Sequence, residues 1–198
     1  MTEKGAALGI ASGLELGSAE EALLERASRG EPEAFDAVIR PRLDRLFRMA
    51  VAITRSDADA RDAVQEACVL AWRELPRLRD RSRFDAWLSQ ILVNACRGLL
   101  RKQRRVRVRE VDVDDSGAAE PAAYATASGA DQLAEAELIR RAFDRLDGDS
   151  RALLVLHYAE ERPLAEIGRV LGAPVGTIKW RLSNARKALD RALEVERR

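Results

Sequence analysis

The sequence predicts an all-α fold of two small helical modules joined by a flexible acidic linker. No stretch of the 198 residues alternates strictly between apolar and polar residues, as a half-buried strand would. Apolar residues recur at helical spacing on both sides of a segment rich in Ala, Gly, Asp and Ser. We therefore expect a disordered tail at residues 1–17, the first module at 18–107, the linker at 108–131 and the second module at 132–198.

Four helices are expected in the first module. Ser18 and Glu21 have the spacing of a capping box, which favours a helix start at Ser18. Pro41 predicts a kink in the second helix because proline cannot donate an interior helical hydrogen bond. The expected helices begin at Ser18, span residues 32–55 with that kink, span 57–75 with Asp57 as the cap, and span 83–105.

The end of the chain is predicted to form a helix-turn-helix. Helices are expected at residues 134–146, 150–159 and 163–171 and from Pro174 onward, and Gly172 permits the tight turn before the last of them. The apolar stripe that this last helix is expected to bury consists of Val175, Ile178, Leu182, Ala185 and Leu189.

A polar and basic face lies opposite this stripe and carries Trp180. A helix-turn-helix inserts its second helix into the major groove, where asparagine binds adenine and arginine or lysine binds guanine or phosphate. We expect DNA, or else a partner protein, to cover the Trp180 ring; packing against a neighbouring helix and a merely solvated basic face are the alternatives. The candidate DNA-binding residues are Gly176, Thr177, Lys179, Trp180, Arg181, Ser183, Asn184, Arg186 and Lys187.

The fourth helix of the first module carries a second cationic surface. Residues 97–109 contain seven cations and no acid, whereas residues 111–139 contain seven acids and no base, which indicates polyanion binding beside an acidic linker. Trp87, at the edge of this surface, is expected to stack on an unpaired base, to be ordinary core, or both. The polar stripe consists of Gln90, Asn94, Arg97, Arg101, Arg104 and Arg105, and the core face of Phe84, Trp87, Leu88, Ile91, Ala95 and Leu99.

The composition argues against an enzyme. One histidine and two cysteines, Cys68 and Cys96, form no nucleophile and base pair and no metal-ligand spacing, so we expect no metal, no cofactor and two buried thiols. No segment approaches the ~20 apolar residues that cross a bilayer, and no secretory signal is visible. We expect no membrane insertion and a cytoplasmic location.

The outer face of the third helix is acidic, whereas the outer faces of the fourth and last helices are basic. Asp62 and Glu66 lie opposite its apolar stripe, with Gln65 and Val69 close by. A solvated face is the default interpretation of such charges, and a docking patch for another protein is the alternative.

Two segments resemble one family. The segments "DADARDAVQEACVLAWREL" and "FDAWLSQILVNACRGLLRKQRR" are similar to region two of extracytoplasmic-function (ECF) sigma factors, and "LAEIGRVLGAPVGTIKWRLSNARKAL" resembles their region four. The resemblance implies a chain that binds core RNA polymerase, with region two on the β′ clamp helices and region four on the β flap. It also implies recognition of upstream and downstream promoter DNA elements, melting of the downstream one, and an anti-sigma factor as a further partner.

The resemblance also assigns roles by position. It implies polymerase binding by Asp62, Gln65, Glu66, Val69 and Trp72. It implies downstream-element binding and melting by Arg79, Asp80, Arg81, Ser82, Arg83, Trp87, Gln90, Asn94, Arg97, Arg101 and Arg105. Four residues depart from the usual pattern of the family: Cys68 and Val69 stand where threonine and phenylalanine are frequent, Gly98 where aspartate is usual, and Trp180 where serine is usual.

Two other function classes remain open at this point. One is a helix-turn-helix regulator that binds operator DNA as a homodimer, which would explain the second module but not the first. The other is an interaction protein that sequesters an anti-sigma factor. If the chain is a sigma factor, we expect Arg97 and Lys179, one from each cationic surface, to be free of internal ion pairs.

Overall fold

The computed structural model describes the backbone of residues 8–109 and 130–197, and the side chains of residues 17–106 and 134–197. All secondary structure in these ranges is helical, which confirms the predicted fold class. Most of the predicted linker lies outside the described residues. The helices are α1 (Leu8–Ser28), α2 (Pro32–Ile39), α3 (Leu43–Thr54), α4 (Asp57–Glu74), α5 (Phe84–Arg109), α6 (Ala130–Asp144), α7 (Gly148–Leu154), α8 (Leu164–Leu171) and α9 (Val175–Glu196). No helix in the described ranges is long and apolar enough to span a bilayer.

The first helix starts earlier than expected. α1 begins at Leu8, ten residues before the predicted start at Ser18. The intervening residues 8–17 are mostly Ala, Leu, Ile and Glu with three glycines, so good helix formers outweigh the glycines there. Near its end, α1 buries Leu24 and Ala27, which attach it to the rest of the first module.

The break at Pro41 is confirmed. α2 ends at Ile39, a 3-10 turn spans Arg40–Arg42, and α3 begins at Leu43. Because the proline ring removes one donor and crowds the preceding turn, the chain tightens at this point instead of continuing as one helix. The start of α4 differs from the prediction by one residue: the cap is Ser56, whose Oγ accepts a hydrogen bond from the Asp59 N–H at 3.2 Å.

The second module contains the predicted helix-turn-helix, formed by α8 and α9. Gly172 ends α8 with φ of 64°, a left-handed conformation that glycine adopts without strain. Gly168 has a role that no local sequence pattern indicates, since a Cβ at this position would come within 2.7 Å of the Ala173 carbonyl oxygen. These two glycines let the turn close tightly enough to bring α9 against α8.

The two modules share one hydrophobic core, with α5 packed against α3 and α4 on one side and against α7 and α8 on the other. Leu92, Val93 and Cys96 of α5 are fully buried, although none of them lies on the core face that the helical periodicity predicted. A helix that packs against two modules buries more than one of its faces. The periodicity of apolar residues predicts a single buried face, so the second one was not expected.

Burial distinguishes the two cysteines. Cys96 is fully buried as predicted, and burial raises the pKa of its thiol to about 12. Cys68 is only half-buried, and burial raises the pKa of its thiol as well. Both thiols therefore remain protonated at neutral pH and react slowly with oxidants.

Gly98 offers a stabilising substitution. Apart from the adjoining residues and the backbone of the same helical turns, no heavy atom of the described residues lies within 4 Å of a Cβ built at this position, so alanine fits inside α5 without any rearrangement. We expect Gly98→Ala to raise the free energy of unfolding in urea by roughly 0.5–1 kcal/mol, because glycine loses more backbone entropy on entering a helix. Gly168→Ala is the contrasting variant, and we expect it to lower stability. A Gly98→Ala protein no more stable than the original would contradict this account of α5.

Candidate nucleic-acid interface

The outer face of α9 is exposed as predicted. Ile178, Leu182 and Ala185 are buried against the module, whereas Trp180 is 66% exposed, so the alternative that its ring packs on a neighbouring helix is wrong. Val175 was expected in the buried stripe but is the first residue of α9 and is 40% exposed. Of the candidate DNA-binding residues, those exposed are Gly176, Lys179, Trp180, Arg181, Ser183, Asn184, Arg186 and Lys187, and Thr177 is half-buried.

Arg186 has two neighbours that the sequence analysis did not identify. Its guanidinium lies over the Tyr158 ring, 5.4 Å from the centroid, and one of its nitrogens is 3.3 Å from His157 Nε2. Both partners lie in the π-helical turn Val155–Ala159 that follows α7. The neighbours are 29 and 28 positions away in sequence, so no local pattern indicates the contact. The cation–π contact holds the Arg186 side chain on the exposed face of α9.

The polar stripe of α5 is only partly open. Asn94, Arg101 and Arg105 are exposed, and Gln90 is half-buried. Trp87 is also half-buried and packs against Phe84, with the ring centroids 5.7 Å apart, so it belongs to the core and still presents part of its surface.

Acidic side chains of the second module form ion pairs with two of the candidate downstream-element arginines, one on α5 and one in the turn before it. Arg97 Nε lies 2.7 Å from an Asp149 carboxylate oxygen, and Arg83 lies 3.1 Å from Glu166. The expectation that Arg97 is free of internal ion pairs is therefore wrong, because its partner comes from a distant part of the chain. Lys179 has no carboxylate of a described residue within ion-pair distance, so the surface on α9 remains open. The Asp149 side chain is 70% exposed and the Arg97 side chain 18%, so solvent reaches this pair from the Asp149 side and screens part of the attraction.

The loop between α4 and α5 is held by its own contacts. Asp80 Oδ1 accepts hydrogen bonds from the Ser82 N–H at 3.1 Å and from the Ser82 hydroxyl. Arg81 donates to the Ser28 hydroxyl at 3.1 Å, which ties the loop to α1. Arg77 and Arg79 are both exposed, and Arg77 pairs with Glu74 at 2.6 Å, so Arg79 is the exposed cation of this loop without a carboxylate of a described residue within ion-pair distance.

On α4, four of the five candidate polymerase-binding residues share an exposed face. Asp62, Gln65, Glu66 and Val69 are all exposed, and Val69 retains 52% of its accessible surface. Trp72 is different, since it is half-buried and contacts Phe35 edge to face with ring centroids 5.1 Å apart. This exposure is compatible with both interpretations of the sequence, a solvated face and a protein-docking patch.

Comparison with known proteins identifies the family. Sigma-70 region 2 matches residues 38–106, and Sigma-70 region 4 matches residues 136–189. The ECF RNA polymerase sigma factor SigM of Mycobacterium tuberculosis is 32% identical over 171 residues, which cover 86% of this chain and 83% of that protein. The chain belongs to the ECF sigma factors.

Other sigma factors match with similar coverage. The ECF RNA polymerase sigma-E factor of Escherichia coli is 29% identical over 183 residues, 88% of this chain and 94% of that one. The solved structure of the sigma factor RpoE in complex with the anti-sigma factor NepR from Bartonella quintana has a TM-score of 0.65 and 27% identity, and covers 81% of this chain and 97% of that chain.

Membership of the family establishes the general function. This sigma factor binds core RNA polymerase and promoter DNA and initiates transcription, and the family is not enzymatic. Among the described residues, no group of His, Cys, Asp and Glu side chains is arranged to hold a metal ion.

Proposed function

We propose that α9 of this sigma factor binds the upstream promoter element through its exposed face. The observation that carries the proposal is the separation of the two faces of α9: Ile178 and Leu182 anchor it, while Lys179, Trp180 and Arg181 point away from the module. Lys179 and Arg181 supply contacts to guanine or phosphate, and Asn184 suits an adenine edge. The Trp180 ring covers a thymine methyl group, and desolvating this large exposed aromatic favours the bound state.

We also propose that the stripe on α5 and the loop before it bind and melt the downstream element. Asn94, Arg101 and Arg105 are exposed along one side of α5, with the partly open Trp87 ring at its edge. Cations at this spacing repel one another until phosphates neutralise them. Arg83 and Arg97 must exchange their carboxylate partners in the second module for DNA, so the second module has to move before the whole downstream surface can act.

The exposed face of α4 is our proposed site for the β′ clamp helices, and the second module is proposed to contact the β flap. The exposure of Asp62, Glu66 and Val69 supports this assignment. Trp72 is half-buried and packs against Phe35, so it holds α4 in the first module. The functional units run over residues 18–107 and 132–198, with a linker at 108–131. An anti-sigma factor is a further proposed partner, since RpoE was solved with one, and the protein acts in the cytoplasm with its polymerase.

The upstream assignment is tested by Lys179→Glu in transcription with core polymerase from a promoter of this sigma factor. We expect about 10- to 100-fold less transcript, because a charge contact to a base or phosphate becomes a repulsion. The loss should persist on a template whose downstream element is already unpaired, since Lys179 acts in recognition and not in melting. The matched control is Arg191→Glu, an exposed position of α9 outside the proposed contacts. Equal losses for the two variants would contradict the assignment.

A further inference from the structure

A cavity of about 570 Å³ lies between the two modules. Its volume is in the range of small-molecule sites, which occur preferentially at junctions between structural units. Arginines from both modules dominate its polar wall. They are Arg55 at the end of α3, Arg97, Arg101 and Arg104 on α5, and Arg151 on α7.

The carboxylates around the cavity do not neutralise these five guanidinium groups. Arg97 pairs with Asp149 at 2.7 Å, and Arg55 pairs with Asp144 at 3.1 Å. Among the described side chains, no carboxylate lies within ion-pair distance of Arg101 or Arg104.

The other two acids of the wall are already bound by neutral groups. Both Asp59 carboxylate oxygens accept hydrogen bonds from the Gln103 side chain at 2.9 Å. Asp147 accepts hydrogen bonds from the backbone N–H and the hydroxyl of Ser150, at 2.8 and 2.9 Å. These hydrogen bonds leave both carboxylates charged, so three acids line the cavity against five arginines, and the wall keeps a net positive charge.

Arg151 adds a buried cation to this wall. It is 5% exposed, and its guanidinium donates to the Ile53 carbonyl of the first module at 2.8 Å and to the Leu146 carbonyl. The neutral carbonyls accept its hydrogen bonds but do not compensate its charge, which Asp144 and Asp147 offset only in part. Burial, followed by repulsion from Arg55, lowers the pKa of Arg151 to about 10.

We propose that this cavity binds a small ligand with linked phosphate groups, such as a nucleoside triphosphate or a short inorganic polyphosphate. Guanidinium groups present paired donors that match the oxygens of a phosphate, and several of them around one cavity favour a ligand with several phosphates. Arg101 and Arg104 are the side chains available to bind the phosphate oxygens. Arg151, which is buried in the wall of the cavity, contributes positive potential.

Binding would also stabilise the contact between the modules, because both contribute to the wall. The ligand would then compete with the downstream promoter element for Arg97 and Arg101. This competition rests on the proposed function, whereas the binding itself does not. A binding measurement without polymerase or DNA therefore separates failure of this proposal from failure of the proposed promoter contacts.

The test is calorimetric titration of the full chain with sodium tripolyphosphate, and separately with adenosine triphosphate, in metal-free buffer of constant ionic strength. We expect saturable binding of one ligand per chain, and Arg104→Gln should weaken it by about tenfold through loss of charge-assisted hydrogen bonds. Lys102→Gln is the matched control, because Lys102 is exposed on α5 and does not line the cavity. Its affinity should stay within about twofold of the original, as for a surface charge distant from the ligand.

The two probes distinguish the sources of the phosphate groups. Tighter binding of adenosine triphosphate than of tripolyphosphate indicates a nucleotide, and the reverse indicates a polyphosphate chain. Equal weakening by Arg104→Gln and Lys102→Gln, or equal binding of sodium sulfate, would overturn the proposal in favour of general attraction of anions.

A variant in the other module provides an independent test. A Cβ added at Gly148 would overlap the end of the Leu100 side chain across the junction, and both residues line the cavity, so the larger side chain in Gly148→Leu should displace Leu100 and occupy part of the cavity. We expect this variant to keep its helical circular dichroism and to lose saturable binding. Unchanged affinity in Gly148→Leu would show that the ligand binds elsewhere and would overturn the proposal.

Discussion

Replacing Arg151 with alanine is expected to lower the free energy of unfolding by about 2–4 kcal/mol, one of the two largest effects that we predict. The guanidinium is buried at the junction of the modules, and its Nε–H donates to the Ile53 carbonyl near the end of α3, where helical carbonyls lack partners within the helix. Alanine removes this partner and the one for Leu146, and it leaves a void between α3 and α7. The variant no longer buries a charge, and the free energy gained in this way limits the net loss of stability.

Urea unfolding followed by circular dichroism measures this loss. Arg191→Ala is the control, because Arg191 is exposed on α9 and, among the described residues, donates only to the Lys187 carbonyl one turn earlier. We expect a change within about 0.5 kcal/mol. Arg151→Lys should be intermediate, since one ammonium group cannot reach both carbonyls with the geometry of a guanidinium. Stability of Arg151→Ala equal to that of the Arg191→Ala control would show that the junction does not depend on this side chain.

Glu66→Arg is expected to reduce transcription about tenfold or more when the sigma factor is limiting, while the stability of the free protein stays the same. Glu66 is exposed on α4 beside Val69, at the proposed site for the polymerase. Reversing a charge at a protein interface costs several kcal/mol when the partner surface is complementary. In the free protein the side chain contacts solvent, so folding is not affected.

The measurement is competition for core polymerase between the variant and the original sigma factor, followed by run-off transcription. Glu21→Arg makes the same charge change at an exposed position of α1, outside every proposed interface, and should compete normally. Raising the concentration of Glu66→Arg should restore transcription, because the defect is in affinity and the promoter contacts are intact. A Glu66→Arg protein that competes as well as Glu21→Arg would contradict the assignment of this face.

Most of the helical elements and the exposed face of α9 follow from the sequence alone. The break at Pro41 follows from the missing N–H of proline, and the burial of Ile178, Leu182 and Ala185 follows from their spacing of three or four residues. The resemblance to ECF sigma factors depended on two separate motifs in this order, and the comparisons confirmed it.

The contact between the two modules is visible only in the tertiary structure. The contact of Arg151 with Ile53 joins residues 98 positions apart, and the pairing of Arg97 with Asp149 joins residues 52 positions apart. Helical periodicity specifies which side of one helix is apolar, but it contains no information about which distant helix covers that side or which acid approaches which base. The burial of both sides of α5 and the cationic cavity beside it arise from packing between distant segments, and for this reason they could be seen only in the folded chain.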